Sequence, residues 1–269
     1  MSATSPIMNV MIKAAEKAAR SLRRDFGEVD NLQVSRKGPA DFVTAADKRA
    51  EEIIFEELKY ARPDYSFLME ESGETKGSDA ENIWIVDPLD GTHNFMHGIP
   101  HWCISIALES KGKIEAGLVY DPIKEEMFRA ERSGGAFLNR NRRLRVSGKK
   151  DMDGVSIAYG GPTQDASHLK RYLHEIGHIS ASSPLLRRMG AAALDLSYVA
   201  AGRLDGYWER GLKPWDVAAG SLIVKEAGGF VNSISNEENP VYSRNLVSGN
   251  EGVYTFLRKE LKTIEKSQD

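Results

Sequence analysis

Apolar and polar positions follow two rhythms along the chain. Ser5-Pro6 has the chemistry of a helix start, a capping hydroxyl followed by proline at the first helical position. Met8, Met11, Ala15, Ala18, Leu22 and Phe26 then recur at helical spacing, and Gly27 supplies the stop. Lys13, Lys17, Arg20, Arg23 and Arg24 read as the solvated face of that helix. Ala46, Ala50, Ile53, Ile54 and Leu58 predict a second helix. Residues 65–69 and the continuous apolar run 83–86 predict strands, the latter buried. Runs at 103–109, 114–120, 125–130, 134–139 and 143–146 predict consecutive strands with short connections. Residues 75–82 are polar and contain glycine, which predicts a mobile loop.

From residue 151 strands and helices alternate. The pattern predicts a strand at 155–159, helices at 166–176 and 191–201, and a strand at 204–209. A helix opens at Pro214 and ends at Gly228-Gly229. Asn250 caps a last helix with Val253, Phe256, Leu257, Leu261 and Ile264 as its stripe. The expectation is one domain over 1–269, with an α+β half at 1–150 and an α/β half at 151–269.

Composition narrows the class. At 269 residues with 41% hydrophobic and 28% charged residues, the chain reads as a soluble globular protein. A net charge of -3 argues against a general affinity for nucleic acid or anionic membrane. No apolar run is long enough to span a bilayer. The single cysteine, Cys103, excludes an internal disulfide and fits the cytoplasm; its apolar surroundings make it a buried inert thiol.

The chemistry concentrates in Trp84-Ile85-Val86-Asp87-Pro88-Leu89-Asp90-Gly91-Thr92-His93-Asn94-Phe95. A strand runs into Asp87-Pro88 and then Asp90-Gly91, both turn signals. A turn can fold two acids onto one point, where they repel unless a cation lies between them. Gly91 lets the backbone approach a ligand, and Thr92 adds a hydroxyl. Other acids are ambiguous by themselves. Thr44 and Asp47 have the spacing of a capping box, Glu70-Glu71 could open a solvated loop, and Asp216 suits the first turn of a helix. Gly190, Ala191 and Ala192 suit either close helix packing or a ligand reaching free amides. Glu70, Asp87, Asp90 and Asp216 have no histidine or cysteine companions, and all-oxygen ligation favours a hard cation.

The motif D-P-L-D-G-T-x-N-F, together with W-D-x-A-A-G and E-A-G-G in residues 215–229, resembles the inositol monophosphatase family. That is the wider group of magnesium-dependent, lithium-sensitive sugar and nucleotide phosphatases. The resemblance covers nearly the whole chain and implies the layered α-β-α-β-α sandwich of the magnesium-dependent sugar phosphatase type, commonly as a homodimer. It implies two or three Mg2+ ions held by Glu70, Asp87, the backbone carbonyl of Leu89, Asp90 and Asp216, with Glu71 beside the site or solvated. It implies catalytic roles for Asp47, Thr92 and Glu70, with Asp47 and Thr92 orienting and deprotonating the attacking water. Gly91 and Thr92 would hold the phosphate, and Asp90, Gly190, Ala191, Ala192, Glu209 and Asp216 would contact the substrate. The family's basic residue falls on Lys37, with Arg36 as the competing assignment.

The D-G-T-x-N-F and R-x-x-G-x-A-A stretches with Glu209 resemble bacterial inositol-1-phosphatases. The implied reaction is hydrolysis of inositol 1-phosphate to inositol and phosphate. Fructose 1,6-bisphosphate, adenosine 3′,5′-bisphosphate and histidinol phosphate are alternative substrates for the same chemistry. The chain departs from the family at Met69 and His93, and at Gly160-Gly161-Pro162, where members often place a small hydroxyl residue. A role of another class, binding RNA or protein, draws on Arg140, Arg142, Arg143, Arg145, Lys149 and Lys150. A solvated hairpin edge accounts for the same charges.

Overall fold

The computed structural model describes residues 4–28, 34–36, 42–149, 151–161, 166–183, 185–234 and 239–266. Lys37, Lys150 and Pro162 lie outside the described residues. The chain begins with α1 (Pro6–Phe26), β1 (Val34–Arg36), β2 (Phe42–Thr44), α2 (Ala45–Ala61), β3 (Tyr65–Met69), β4 (Gly73–Thr75), β5 (Asp79–Asp90) and α3 (Thr92–Met96). It continues through β6 (Cys103–Ser110), β7 (Lys113–Asp121), β8 (Glu126–Glu131), β9 (Gly135–Leu138) and β10 (Arg142–Arg143). Then come β11 (Ser156–Tyr159), α4 (Ala166–Ser182), β12 (Leu185–Arg187), α5 (Ala192–Ala200), β13 (Gly206–Arg210), α6 (Pro214–Glu226), β14 (Phe230–Asn232), β15 (Asn245–Gly249) and α7 (Glu251–Lys266).

Eight strands form one sheet in the order β10-β9-β8-β7-β6-β5-β3-β4, and five form another in the order β12-β11-β13-β15-β14. The pair β3/β5 is parallel; every other pairing in the larger sheet is antiparallel. Helices α1 and α2 cover one face of the larger sheet. Helices α5 and α6 fill the space between the two sheets, and α4 and α7 cover the outer face of the smaller one. The result is the five-layer α-β-α-β-α sandwich. The two stretches 1–150 and 151–269 interlock, because α5 and α6 of the second pack on the sheet of the first.

This layering explains the apolar runs. In β5, Trp84 and Val86 enter the core under α1 and α2, whereas Ile85 enters the core under α5 and α6. A strand alternates faces, so a sheet buried on both sides needs apolar residues at every position.

Ser5 caps α1 by accepting from Met8 N at 3.1 Å, and Asn250 Oδ1 caps α7 by accepting from Val253 N at 3.0 Å. Several expectations require correction. The loop expected at 75–82 shrinks to residues 76–78, because Thr75 ends β4 and β5 starts at Asp79. Polar side chains of the stretch close local hydrogen bonds, as when Asp79 accepts from the amides of Glu81 and Asn82. The strand expected at 143–146 stops at Arg143, because the chain leaves the sheet and Val146 N donates to Ala227 O at 3.1 Å. Helix α4 continues past residue 176 to Ser182, since Ile179 is fully buried on its inner face. Lys13 and Lys17 are not merely solvated; both pair with Glu57 of α2, at 2.8 and 2.7 Å. Lys149 pairs with buried Asp205 at 3.2 Å rather than decorating a free edge.

Candidate active site

One inserted residue creates the site. Across the antiparallel pair β5/β6, Asp87 faces Ser105 and Asp90 faces Cys103. Three steps along β5 therefore match two along β6, which is a β-bulge. In a regular strand, residues three apart point to opposite faces. The bulge restores the parity, so Asp87 and Asp90 reach the same side, under α5 and α6. The first expected turn, at Asp87-Pro88, is thus a bulge within a continuing strand. It is closed by Leu89 N donating to Asp87 Oδ1 at 2.9 Å.

The true turn is at Gly91, whose φ of 94° is left-handed. A Cβ there would lie 3.0 Å from His101 O and 3.2 Å from the Ala191 Cβ. Only glycine satisfies both the dihedral and the space. Thr92 then starts α3, and its hydroxyl lies 2.9 Å from Leu89 O and 3.5 Å from Asp47 Oδ2.

The other acids arrive from separate elements. Glu70 follows β3, and its amide donates to Val86 O of the parallel neighbour at 3.2 Å. Beside it, Glu71 N donates to the buried carboxylate of Glu51 on α2 at 2.8 Å. Asp47, in the first turn of α2, is 1% exposed. One oxygen each from Asp47, Glu70 and Glu71 lie within 4.8 Å of one another. Asp216 accepts from Lys213 N at 2.7 Å at the start of α6, so its helix-start role and its position in the cleft coexist. Asp90 Oδ2 accepts from Ala193 N, in the first turn of α5, at 2.7 Å.

A cleft of about 270 Å³ is lined by Glu70, Asp90, Gly91, Thr92, Gly190, Ala192, Glu209 and Asp216. Asp87 lies beneath it, 2% exposed. Ala191 is 1% exposed and does not line the cleft, being pressed against Gly91. Its expected substrate contact therefore moves to its neighbours. The amide of Ala193 is likewise occupied by Asp90 rather than free for a ligand. His93, Gly160, Gly161, Arg188 and Leu212 complete the lining. Arg188 and Glu51 were not among the expected site residues. Arg188 sits in a basic pair and Glu51 beside the apolar stripe of α2, and neither carries a local signal of a site.

Electrostatics mark the cluster. Burial, and then the Asp216 charge, push Glu70 up to about 8. Burial raises Asp216 to about 6, and burial with neighbouring carboxylates holds Asp87 and Asp90 well above the ordinary range. Like-charged carboxylates gathered this closely favour protonated forms unless a cation lies among them. Such an all-oxygen set fits a hard divalent cation, which would replace those protons. The concavity of about 500 Å³ lined by Ile12, Glu16, Tyr120, Glu125, Met127 and Arg129 is larger, but among the described residues its two carboxylates stand beside Arg129 and Arg140 rather than in an all-acidic group.

Fold and site define a layered α/β enzyme with an acidic, cation-type cleft. A model of the inositol monophosphatase family matches residues 3–266, and the chain belongs to that family and is a phosphatase. It is similar to an inositol-1-monophosphatase of Mesorhizobium japonicum, with 52% identity over 260 residues and 97% of each chain covered. Nus factor SuhB of Escherichia coli is 43% identical over 257 residues, with 96% of each chain covered. The crystal structure of extragenic suppressor protein suhB from Bartonella henselae superimposes with a TM-score of 0.92 at 54% identity. It covers 96% of this chain and 99% of that one. Inositol monophosphatase from Anabaena gives a TM-score of 0.84 at 34% identity, covering 96% of this chain and 95% of that one.

Proposed function

We propose that this phosphatase hydrolyses inositol 1-phosphate and depends on Mg2+. The observation that carries the reading is the convergence of Glu70, Asp90 and Asp216 on one cleft that also holds Thr92 and Glu209. Glu70, Asp87, Asp90, Asp216 and the carbonyl of Leu89 would hold two or three Mg2+ ions. Leu89 O already accepts from Thr92, but a carbonyl has a second lone pair. When bound, the cations supply Lewis-acid polarisation of the phosphate and charge neutralisation.

The chain's own groups supply the rest. The Thr92 hydroxyl, rotated from Leu89 O toward Asp47, relays a proton to that carboxylate from the attacking water. The carboxylate is buried and held in place by α2, so little reorganisation accompanies the transfer. The Gly91 turn and the start of α3 offer backbone amides to the phosphate oxygens. Glu209, with Gly190 and Ala192 beside it, accepts hydrogen bonds from the polyol hydroxyls. No covalent nucleophile is required. The closely similar proteins named inositol-1-monophosphatase support the substrate choice. Lys37, the homodimer, lithium inhibition and a cytoplasmic setting belong to the same proposal.

Phosphate release from inositol 1-phosphate, fructose 1,6-bisphosphate, adenosine 3′,5′-bisphosphate and histidinol phosphate tests the reading. Each is run with magnesium, with chelator and with lithium. Magnesium-dependent preference for inositol 1-phosphate is expected. Preference for another substrate would move the assignment, and magnesium-independent turnover would remove the cation from it.

A second role has one observation in its favour: Arg140, Arg142 and Arg143 are exposed on the β9/β10 hairpin, and several relatives are named Nus factor SuhB. A macromolecular complex that is salt-sensitive and lost on neutralising these arginines, with turnover intact, would support it.

A further inference from the structure

Glu209 lies near the end of β13, and its side chain lines the cleft. Two neighbours determine where its carboxylate sits. Tyr207, two residues earlier on the same face of the strand, is completely buried, and its hydroxyl donates to Glu209 Oε2. The second neighbour is Gly160, just beyond β11. Strands β11 and β13 are parallel, Tyr159 faces Trp208, and Gly160 N donates to Trp208 O at 3.0 Å. That contact brings Gly160 against Glu209.

A Cβ built on Gly160 would lie 1.9 Å from Glu209 Oε2, 2.0 Å from Cδ and 2.3 Å from Oε1. The backbone of Gly160 is not in the left-handed region, so no dihedral demands glycine here. What demands it is space: the carboxylate occupies the volume of the missing side chain. Among the described residues lining the cleft, Arg188 is the only lysine or arginine, and its charge acts on Glu209.

We propose that Gly160 is a specificity-determining position and Tyr207 a positioning residue for the phosphatase reaction. Together they hold the Glu209 carboxylate at the polyol end of the cleft, selecting substrates with neutral hydroxyls there over those with a second phosphate. The inference rests on the polyol-phosphate reading of the same site. Burial raises Glu209 to about 8, so selection rests on space and hydrogen bonding: a carboxyl fixed there pairs with hydroxyls and occupies the room a second phosphate would need, and a hydroxyl-reading site with unpaired buried groups discriminates strongly. The three atoms that a methyl at 160 meets first all belong to the end of the Glu209 side chain rather than to backbone, so the carboxyl is pushed out of its place beside Tyr207 while the backbone stays. Displacing the carboxyl opens that end toward Arg188, and the penalty on a second phosphate falls.

The test compares kcat and KM for inositol 1-phosphate and fructose 1,6-bisphosphate in wild type, Gly160→Ala, Tyr207→Phe, Glu209→Gln and the Gly160→Ala/Glu209→Gln double variant. Thermal midpoints are measured alongside. Gly160→Ala is expected to lower the kcat/KM ratio of inositol 1-phosphate to bisphosphate about tenfold, chiefly through KM, with a midpoint near wild type. Tyr207→Phe shifts the ratio the same way by about threefold. The double variant should match Glu209→Gln alone, because both changes remove one interaction. An unchanged ratio in Gly160→Ala, with wild type preferring inositol 1-phosphate, overturns the proposal alone. So do Gly160→Ala and Glu209→Gln losses that simply multiply. Wild type preferring the bisphosphate overturns the polyol reading and the proposal with it. If Gly160→Ala does not fold, the ratio in Tyr207→Phe decides.

Discussion

The side-chain amide of Asn94 donates to Met189 O at 2.8 Å, joining α3 to the segment before α5. The same nitrogen donates to His101 O at 2.8 Å. Two hydrogens meet two carbonyls, so the amide has one workable orientation. Asn94 thereby ties the wall bearing Thr92 to the wall bearing Gly190.

Replacing Asn94 by alanine should loosen that tie. Two part-buried carbonyls lose their donor, at a cost of about 1–3 kcal/mol. The expected outcome is a thermal midpoint several degrees lower and a raised KM. Asn94→Asp should be worse, because it sets a carboxylate against two carbonyl oxygens. Thermal melts and steady-state kinetics of the pair check the order; equal midpoints in both variants and wild type would remove Asn94 from this role.

Asp90→Asn should abolish magnesium-dependent turnover and leave the fold intact. The Asn carbonyl can still accept from Ala193 N, now 2.7 Å from Asp90 Oδ2. Losing a ligand charge should cost on the order of several kcal/mol in the barrier, a fall of at least about a thousandfold in kcat. In chelator the variant should melt no lower than wild type, since burial, and then the Asp216 charge, already favour the uncharged form of Asp90, which the amide mimics. Turnover near wild type would sink the assignment.

Cys103 should resist thiol reagents in the native protein. It is fully buried, and burial, followed by the Asp90 and Asp87 charges, holds the thiol well above its ordinary range. Its Sγ lies 3.7 Å from Asp90 Oδ2. Thiol titration should register no group until denaturant is added; rapid labelling of the folded, active protein would contradict the packing.

Much of this was legible from local pattern. β5 could be read because both its faces are buried, and α1 and α7 because their stripes and caps are local. The shared direction of Asp87 and Asp90 was legible only as two acids at a break. The parity change depends on register with Cys103 and Ser105, and register is a long-range property. β12 and β14 escaped because three residues carry no pattern, and β15 because it gains definition only from pairing with β13 and β14. Arg188 and Glu51 were hidden for another reason. A charge becomes a site residue through what it faces, and the chain around it carries no trace of that. Gly160 was legible as a departure from the family, but its reason, the Glu209 carboxylate, comes from a strand far away in sequence.

The cation-free protein should lose stability as pH rises through neutrality. Burial raises Glu70 and Asp216, to about 8 and about 6, and holds Asp87 and Asp90 higher than the ordinary range. In the unfolded chain such carboxyls titrate near roughly 4. Between roughly pH 4 and 8 the folded protein therefore holds more protons than the unfolded one, and its stability falls as pH increases. Glu126 runs the other way: its hydrogen bond with Arg203 holds it below its ordinary value, so its contribution is lost in acid. His101, lowered to about 4 by burial, also adds stability as pH rises to roughly 6.5, so a window from about pH 7 to 8.5 isolates the first effect. In chelator the thermal midpoint should drop across that window. With magnesium the drop should shrink, because the cation takes the place of the protons. Adding magnesium to cation-free protein in weak buffer near pH 7 should release protons, and Asp90→Asn should release fewer. A flat midpoint in chelator, with no proton release on adding magnesium, would mean that these carboxylates do not share one cation site.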